Sequence, residues 1–390
     1  MKKLNIAVFG FGFMGKTYLH ASKVLNDFYP DIPGVVVKSL LLSDKKSLDD
    51  IKRIKNRYNI ENVTIDINDI LNDESIDAVY IGTPNDLHYK HYRLAIESKK
   101  HVLCDKPIGL NKSESEKMLQ IANKNKRYIS NVVFQYRFIP AISKIKEMIS
   151  DGILGKIFKF RISYLHGSYI ENRPITWRLK QNTGGALIDL GPHVFDLAYF
   201  LFGNFRITSK KLKTKIKDRS VDDFSWIFCE TDKDNVDGFI EVSRISTGTI
   251  DELRLEIHGS LGAVKWNLEN LNFYEYYNVK SPEKGFKKLP AFFDKESASD
   301  FPPPKVTSGW LRAHVDCLYH FVKEISDKDF SSIKIAKFSD GNYTQTIIDN
   351  IKIKTEGLCS GTLKSNAEVR IGMPRCNAAP WRSHDKALLD

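Results

Sequence analysis

The chain has 390 residues, 42% of them hydrophobic, and a formal net charge of +11, so it is long enough for two domains that each bury a core. Its lysines are spread among 48 acidic residues, and its apolar runs stay shorter than the roughly 20 residues of a membrane span, which argues against a nucleic-acid or membrane partner. The N-terminus lacks the layout of a secretory signal, so we expect a cytoplasmic protein.

Residues 1–135 alternate short apolar runs with helical patterns, which is typical of a parallel sheet with crossover helices. Strands are predicted at 4–9, 35–43, 77–82, 100–104 and 128–133. Helices are predicted at 14–27, 46–58, 86–98, 113–125 and 139–150. Ser113 and Glu116 have the spacing of a capping box, which predicts where one of these helices begins.

The first strand leads directly into the glycine loop Gly10-Phe11-Gly12-Phe13-Met14-Gly15. Gly10 permits a tight turn, Gly12 leaves bare backbone for a pyrophosphate, and Gly15 lets the next helix pack on the strand. The N-terminus of that helix supplies free N–H groups and a positive dipole end. This context favours a doubly wound Rossmann domain over residues 1–135, with Phe13 and Met14 beside a dinucleotide, over a plain glycine-rich turn.

Asp44 follows the second predicted strand, where an acidic residue commonly binds the adenosine ribose hydroxyls. Ser43, Lys45 and Lys46 surround it, and a hydroxyl with two ammonium groups also suits a 2′-phosphate. NAD is therefore favoured as the cofactor, and NADP stays open. An alternative role for Asp44 is the N-cap of the next helix.

Two more polar segments follow predicted strands, at the edge where open α/β sheets bind ligands. The strand 77–82 ends in Thr83-Pro84-Asn85, with His88 one turn later, and helix capping or packing is the alternative for Asn85 and His88. The strand 100–104 ends in Asp105-Lys106-Pro107. Burying an unpaired ammonium is costly, so Lys106 at a strand end favours a function, and an exposed lysine is the alternative.

The pattern changes at about residue 153 to strands with few crossovers, which predicts an α+β domain over residues 136–356 with a large, mostly antiparallel sheet. Its strands are predicted at 156–165, 205–216, 223–230, 236–245, 252–258, 262–267 and 271–277. Helices are predicted at 193–202, 310–326 and 340–354. Residues 357–390 form an atypical tail that is either disordered or loosely docked.

Asp189 and His193 are four residues apart, so they share one face of a helix that begins near Asp189. Imidazole, with an ordinary pKa near 6.5, takes up and returns a proton at neutral pH, and a carboxylate can orient it. Capping by Asp189 and packing of His193 is the structural alternative. The sequence has no HExxH motif and no CxxC pair, so we predict no metal site.

A third group of aromatic and polar side chains suits a ligand rich in hydroxyls, which is bound by ring stacking on one face and by forked donors around its rim. Each of these side chains alone is more often structural. The group consists of Tyr136, Arg137, Trp177, Arg178 and His314.

Taken together, these stretches resemble the Gfo/Idh/MocA family of sugar and polyol dehydrogenases, and within it levoglucosan and inositol dehydrogenases most. Four motifs carry the resemblance over residues 4–354: the glycine loop, Thr83-Pro84-Asn85 with His88, Lys106-Pro107, and Asp189 with His193. The resemblance implies that Lys106 is the catalytic lysine, that His193 accepts the proton of the substrate hydroxyl, and that Asp189 binds or orients the substrate. The family usually has Glu where Asp105 stands, which shortens the reach of that carboxylate.

The implied activity is hydride transfer between a ring carbinol carbon of a sugar or cyclic polyol and NAD(P). Family members assemble as homodimers or homotetramers through the outer face of the second sheet, and we carry this expectation over. Two alternatives stay open: a cofactor-binding regulator without turnover, and a non-redox net reaction on a glycoside through a transient ketone with retained NAD.

Overall fold

A computed structural model of the chain describes residues 3–170, 179, 183–217, 219–291, 306–327 and 329–352. The predicted tail at 357–390 lies outside these residues, as do Trp177 and Arg178. The strands are β1 (Leu4–Phe9), β2 (Val35–Leu41), β3 (Asn62–Thr64), β4 (Ala78–Ile81), β5 (His101–Cys104), β6 (Ser130–Val132), β7 (Ile157–Leu165), β8 (Phe205–Lys213), β9 (Phe224–Thr231), β10 (Asp237–Ser243), β11 (Glu252–Gly259), β12 (Gly262–Asn267), β13 (Phe273–Asn278), β14 (Lys287–Pro290) and β15 (Ala336–Lys337).

The α-helices lie between these strands or follow them. They are α1 (Phe13–Phe28), α2 (Leu48–Tyr58), α3 (Asn68–Leu71), α4 (His88–Glu97), α5 (Lys112–Lys124), α6 (Pro140–Ser150), α7 (Ala186–Phe202), α8 (Trp310–Ser326) and α9 (Phe338–Lys352). None of the helices in the described part of the chain combines the length and the apolar character that a membrane span requires.

The first sheet has seven strands in the order β15-β6-β5-β4-β1-β2-β3. Strands β1 to β6 run parallel, and β15 pairs antiparallel with β6. This order confirms the predicted Rossmann fold, in which the chain reverses its direction of winding between β1 and β4. Ligands of such sheets bind at the carboxyl ends of the strands next to this reversal, so the loops after β1 and β4 define where the site lies.

The second sheet has eight strands in the order β14-β13-β12-β11-β7-β10-β9-β8. All neighbouring pairs are antiparallel except β7 with β10, which confirms the predicted large, mostly antiparallel sheet. Buried side chains alternate with exposed ones along β9, so one face of the sheet belongs to the core. Helix α7 packs in that core, with nearly all of its residues buried.

Helix α7 begins seven residues earlier than the predicted helix at 193–202. Gly191 and Pro192 interrupt the pattern in the sequence, but both lie inside the helix. The first turn is stabilised from outside, because Asp222 Oδ2 accepts a hydrogen bond of 2.8 Å from the Leu187 backbone N–H. Gly185, with φ of 103°, precedes the helix. Tertiary packing therefore overrides the local signal of Gly191 and Pro192, which predicted that the helix begins after them.

The predicted capping box of Ser113 and Glu116 is wrong. Helix α5 begins at Lys112, and the side chain of Asn111 is the N-cap, since it accepts a hydrogen bond of 3.0 Å from the Glu114 N–H. The Glu114 carboxylate in turn accepts a bond from the Leu110 N–H. Asn is as strong an N-cap as Ser, so the competing cap two residues earlier sets the boundary.

The elements that the sequence analysis missed are β3, α3, β14 and β15. Each has four residues or fewer, which is too short for a hydrophobic period to be recognised. Strand β15 exists only through its pairing with β6, where Ala336 lies opposite Val132. The division of the chain at residue 135 stays a prediction.

Candidate active site

A cavity of about 1010 Å³ lies along the carboxyl ends of β1, β2, β4 and β5, and it extends to α7, α8 and the ends of β7 and β10. It brings together most of the residues that the sequence singled out. These are Gly10, Gly12, Phe13, Met14, Ser43, Asp44, Thr83, Pro84, Asn85, His88, Asp105, Lys106, Tyr136, Asp189, His193 and His314.

The glycine loop forms a tight floor at one end of this cavity. Gly10 has a φ of +95°, and a Cβ on it would lie 2.7 Å from the carbonyl oxygen of Gly82. A Cβ on Gly15 would lie 2.1 Å from the carbonyl oxygen of Gly10, so Gly15 packs against the loop rather than lining the cavity. Above Gly12, by contrast, nothing lies within 4 Å of a Cβ. This open space at the N-terminus of α1 fits the pyrophosphate of a dinucleotide.

Replacing Gly12 with alanine is expected to weaken NADH binding roughly tenfold or more, which corresponds to about 1.4 kcal/mol, with no loss of thermal stability. The added methyl group meets no protein atom but occupies the space of the pyrophosphate. Fluorescence titration with NADH and thermal unfolding measure the two effects. Gly34→Ala, which adds a Cβ with ordinary contacts to Asn26 and Lys3, is the matched control. Unchanged NADH affinity in Gly12→Ala would contradict this interpretation of the loop.

The segment after β2 lies at the same end of the cavity. Ser43, Asp44 and Lys46 line it, whereas Lys45, between two of them, is exposed outside the lining, and its role stays a prediction. The alternative role of Asp44 as a helix cap is wrong. The N-cap of α2 is Ser47, whose side chain accepts a bond from the Asp50 N–H.

His88 connects the two loops that follow β4 and β5. It is buried, and its ring nitrogens lie 2.7 Å from the carbonyl oxygen of Pro107 and 2.9 Å from that of Thr83. Asn85 is buried too, and its side-chain amide donates a bond of 3.4 Å to the carbonyl oxygen of Thr183. Its side chain caps no helix. Both residues therefore hold backbone segments that border the cavity.

The Lys106 ammonium lies inside the cavity and is not an exposed strand terminus. Its Nζ donates a bond of 2.8 Å to the backbone carbonyl oxygen of Asp189 and lies 3.5 Å from Asp189 Oδ1. Asp105 turns the other way: its carboxylate accepts bonds from the Lys106 N–H at 2.8 Å and from the Tyr80 hydroxyl at 3.3 Å. Burial raises the pKa of Asp105, and the charge of Lys106 opposes that shift. The Asp105 carboxylate, although one methylene shorter than that of Glu, thus still reaches both the Lys106 backbone and the Tyr80 hydroxyl.

Asp189 and His193 lie on the buried first turns of α7, as their spacing predicts. The Asp189 carboxylate also forms an ion pair with Arg244, from the end of β10. Burial lowers the pKa of His193 well below its usual 6.5, and the positive charge of Lys106 lowers it further. His193 Nδ1 has no hydrogen-bond partner among the described residues. The cavity therefore holds a neutral imidazole beside an ammonium and a carboxylate at neutral pH.

Tyr136 and His314 complete the wall around His193. The Tyr136 and His193 rings are 5.0 Å apart between centroids. His314 is fully buried, burial lowers its pKa to about 3, and within the described part of the chain neither ring nitrogen has a partner. The prediction that Arg137 binds substrate is wrong. Its guanidinium is buried away from the cavity, 2.5 Å from Asp196 and 3.1 Å from Asp340.

Among the cavity residues that the sequence analysis missed, five come from the second sheet and from α8, far apart in the sequence, and no motif marks them. Trp310 illustrates this, since its ring stacks on Phe13 of the glycine loop at 5.7 Å between centroids. These five residues are Tyr164, His166, Arg244, Asp251 and Trp310. Within the described ranges, no group of three or more His, Cys, Asp or Glu side chains is placed to hold a metal ion.

The Rossmann sheet, the open glycine cradle and the polar chamber beside it define the class as a dinucleotide-dependent dehydrogenase. Comparison with known families supports the same assignment for both parts of the chain. Residues 4–132 match the model described as the oxidoreductase family with an NAD-binding Rossmann fold. Residues 142–265 match the GFO/IDH/MocA C-terminal domain. The chain belongs to the Gfo/Idh/MocA oxidoreductase family, and its cofactor is NAD.

Similar proteins extend over nearly the whole chain. Levoglucosan dehydrogenase of Pseudarthrobacter phenanthrenivorans is 28% identical over 386 residues, which cover 91% of this chain and 96% of that protein. Glucose-6-phosphate 3-dehydrogenase of Bacillus subtilis is 26% identical over 71% of this chain and 79% of its own length. A solved levoglucosan dehydrogenase in complex with NADH and levoglucosan superimposes with a TM-score of 0.82 at 27% identity, covering 90% of this chain and 96% of that one.

Proposed function

We propose that the protein catalyses hydride transfer between a hydroxyl-bearing carbon of a sugar or cyclic polyol and NAD. The observation that carries this proposal is the convergence of Lys106, Asp189 and His193 in a cavity that continues to the glycine loop. Two similar proteins named for oxidation of levoglucosan and of glucose 6-phosphate support a carbohydrate substrate.

In this proposal, the glycine loop and the N-terminus of α1 hold the pyrophosphate, while Ser43 and Asp44 bind the adenosine ribose. Thr83, Pro84 and Asn85 border the cofactor at the switch point of the sheet. A nicotinamide held there would supply the acceptor for the hydride of the carbinol carbon.

The proton of the substrate hydroxyl leaves separately from the hydride, to a side chain of α7. His193 Nε2 or Nδ1, neutral at physiological pH, accepts the proton of the substrate hydroxyl. The Lys106 ammonium stabilises the negative charge that develops on the same oxygen. Asp189 holds the Lys106 side chain in place through the 2.8 and 3.5 Å contacts and accepts a hydrogen bond from a substrate hydroxyl.

The test is a screen of NAD and NADP against inositols, levoglucosan, glucose and glucosides, monitored by the absorbance of the reduced nicotinamide. We expect reduction of NAD with at least one of these compounds. Product formation without accumulation of NADH would favour the alternative of a non-redox net reaction with retained cofactor. Binding of NAD without turnover of any compound would favour a regulatory protein.

NAD is proposed as the preferred cofactor because Asp44 accepts ribose hydroxyls and repels a 2′-phosphate. Replacing Asp44 with alanine is expected to raise the KM for NAD roughly 10-fold or more, in line with the 1.5–3 kcal/mol of a hydrogen bond to a charged group, while the KM for NADP falls. Lys52→Ala, at an exposed position of α2 off the cavity, is the control and leaves both values unchanged. If Asp44→Ala keeps the wild-type preference for NAD over NADP, residues other than Asp44 determine that preference.

We further propose a cytoplasmic homodimer or homotetramer with domains at 1–135 and 136–356. The outer face of the second sheet supports the assembly, since the side chains of Trp226 and Phe228 are 37% and 51% exposed there. Neighbouring exposed aromatic side chains of this size commonly mark a protein interface. Light scattering measures the mass in solution.

A further inference from the structure

Two polar residues of the cavity have no part in the proton route described above. They are His166, directly after β7, and Asp251, directly before β11. These strands are antiparallel neighbours, with Leu165 opposite Glu252, so the register itself places His166 and Asp251 next to each other. The backbone of His166 is held in place, because its N–H donates a bond of 2.9 Å to the carbonyl oxygen of Ser243.

The two side chains form a pair close to the reaction centre but separate from it. His166 Nε2 lies 3.0 Å from Asp251 Oδ1. Tyr164 is the link to His193, since its ring lies 5.1 Å from the His166 ring and 5.6 Å from the His193 ring between centroids. The Tyr164 hydroxyl is also 2.7 Å from the Tyr136 hydroxyl. Tyr164 therefore connects His193 to the His166–Asp251 pair, and all four residues line the same cavity.

Asp251 stays ionised in this setting. Burial acts to raise its pKa, but hydrogen bonds from His166 and Tyr164 and the nearby charge of Arg244 outweigh burial and lower the pKa below its usual value. Asp251 Oδ1 is buried against His166, while the side chain as a whole is 45% exposed and lines the cavity, so Oδ2 is the oxygen that a ligand reaches. The nearby Arg244 is paired with Asp189, so its charge is balanced by that carboxylate.

We propose that Asp251 and His166 form a hydroxyl-recognition subsite for the part of the substrate ring remote from the oxidised carbon, and that they restrict the substrate to uncharged sugars or polyols with free hydroxyls there. With Oδ1 facing His166, Asp251 Oδ2 accepts a hydrogen bond from a ring hydroxyl, and hydrogen bonds to an ionised acceptor are the stronger ones. The same carboxylate repels a phosphate or carboxylate group at this position. The inference rests on the proposed hydride transfer, and it separates this chain from a relative named for a phosphorylated glucose.

The test compares wild-type protein with Asp251→Asn, which keeps the shape of the side chain and removes its charge. Substrates are myo-inositol and levoglucosan, their monodeoxy derivatives, and myo-inositol monophosphates. We expect Asp251→Asn to raise the KM of the parent polyol roughly 10- to 100-fold, the range of a hydrogen bond to a charged group, with a much smaller change in kcat and none in the KM for NAD. For the derivative that lacks the recognised hydroxyl, wild type and variant have the same KM. Glu256→Gln, on the strand β11 that follows Asp251 but off the cavity, is the charge-matched control.

A second measurement does not depend on turnover or on the variant. Calorimetric titration of the NAD-loaded wild-type protein is expected to show binding of the parent polyol, weaker binding of one monodeoxy derivative and no binding of the monophosphates. Equal binding of the monophosphates, or an equal KM increase in Asp251→Asn for parent and deoxy compounds, would overturn the subsite. Absence of NAD reduction with every polyol, with binding intact, would instead count against the proposed hydride transfer.

Discussion

Replacing Lys106 with alanine is expected to lower kcat for polyol oxidation by at least about 100-fold, the usual range for an acid–base or charge-stabilising group. The Lys106 ammonium is held in the cavity by the Asp189 carbonyl oxygen and carboxylate. Water that fills the place of the side chain supplies no fixed positive charge at the developing oxyanion. NADH affinity is expected to change little, because the glycine loop and Asp44 are untouched.

Steady-state kinetics and an NADH titration of the same preparation separate these two effects. Lys112→Ala is the control, since Lys112 is an exposed lysine of α5 whose side chain, in the described part of the chain, pairs only with Glu116. Thermal unfolding checks that the loss of the bond to Asp189 leaves the fold intact. A Lys106→Ala variant with kcat close to wild type would remove Lys106 from the mechanism.

Replacing His193 with glutamine is expected to lower kcat/KM by a similar factor of at least about 100. His193 must be neutral to accept the substrate proton, so protonation of its ring at low pH stops the reaction. Because burial and the Lys106 charge lower its pKa, the wild-type protein stays active below pH 6.5, and the acid limb of kcat/KM falls under that value. In His193→Gln, this limb disappears from the residual activity.

The pH profile makes this prediction more specific than a loss of activity. A variant that is merely misfolded keeps the shape of the wild-type profile at a lower amplitude, whereas loss of the titrating base changes the shape. His20→Gln, at an exposed position of α1, is the control. An acid limb above pH 6.5, or one that persists in His193→Gln, would mean that another group is the base.

The fold was predictable to the extent that local patterns specify it. The strand and glycine loop at the N-terminus, and the change from alternating elements to consecutive strands near residue 153, are sufficient for both sheets. The short strands β3 and β15 were not predictable, because pairing with a distant partner and not their own sequence makes them strands. The start of α7 was misplaced for a related reason, since the cap that supports it is Asp222 from a distant loop.

The residues of the candidate site were likewise predictable only where a local motif marks them. Lys106, Asp189 and His193 were found because each lies in a motif, and the structure brings them into one cavity. The sequence did not reveal four other cavity residues, because the register of the second sheet places them in the cavity and no local pattern encodes that register. These are Tyr164, His166, Arg244 and Asp251. Arg137 was misassigned, since composition alone does not distinguish a guanidinium that binds a ligand from one that forms a buried ion pair.

Direct transfer of the substrate hydrogen to the cofactor is the central claim. The measurement is incubation of the protein and NAD with levoglucosan or myo-inositol that carries deuterium on every ring carbon, followed by mass analysis of the nicotinamide product. We predict that the reduced nicotinamide gains one deuterium from the polyol and that Lys106→Ala abolishes this gain. Reduced nicotinamide without deuterium, or no reduction with any polyol by a protein that binds NAD, would contradict the account.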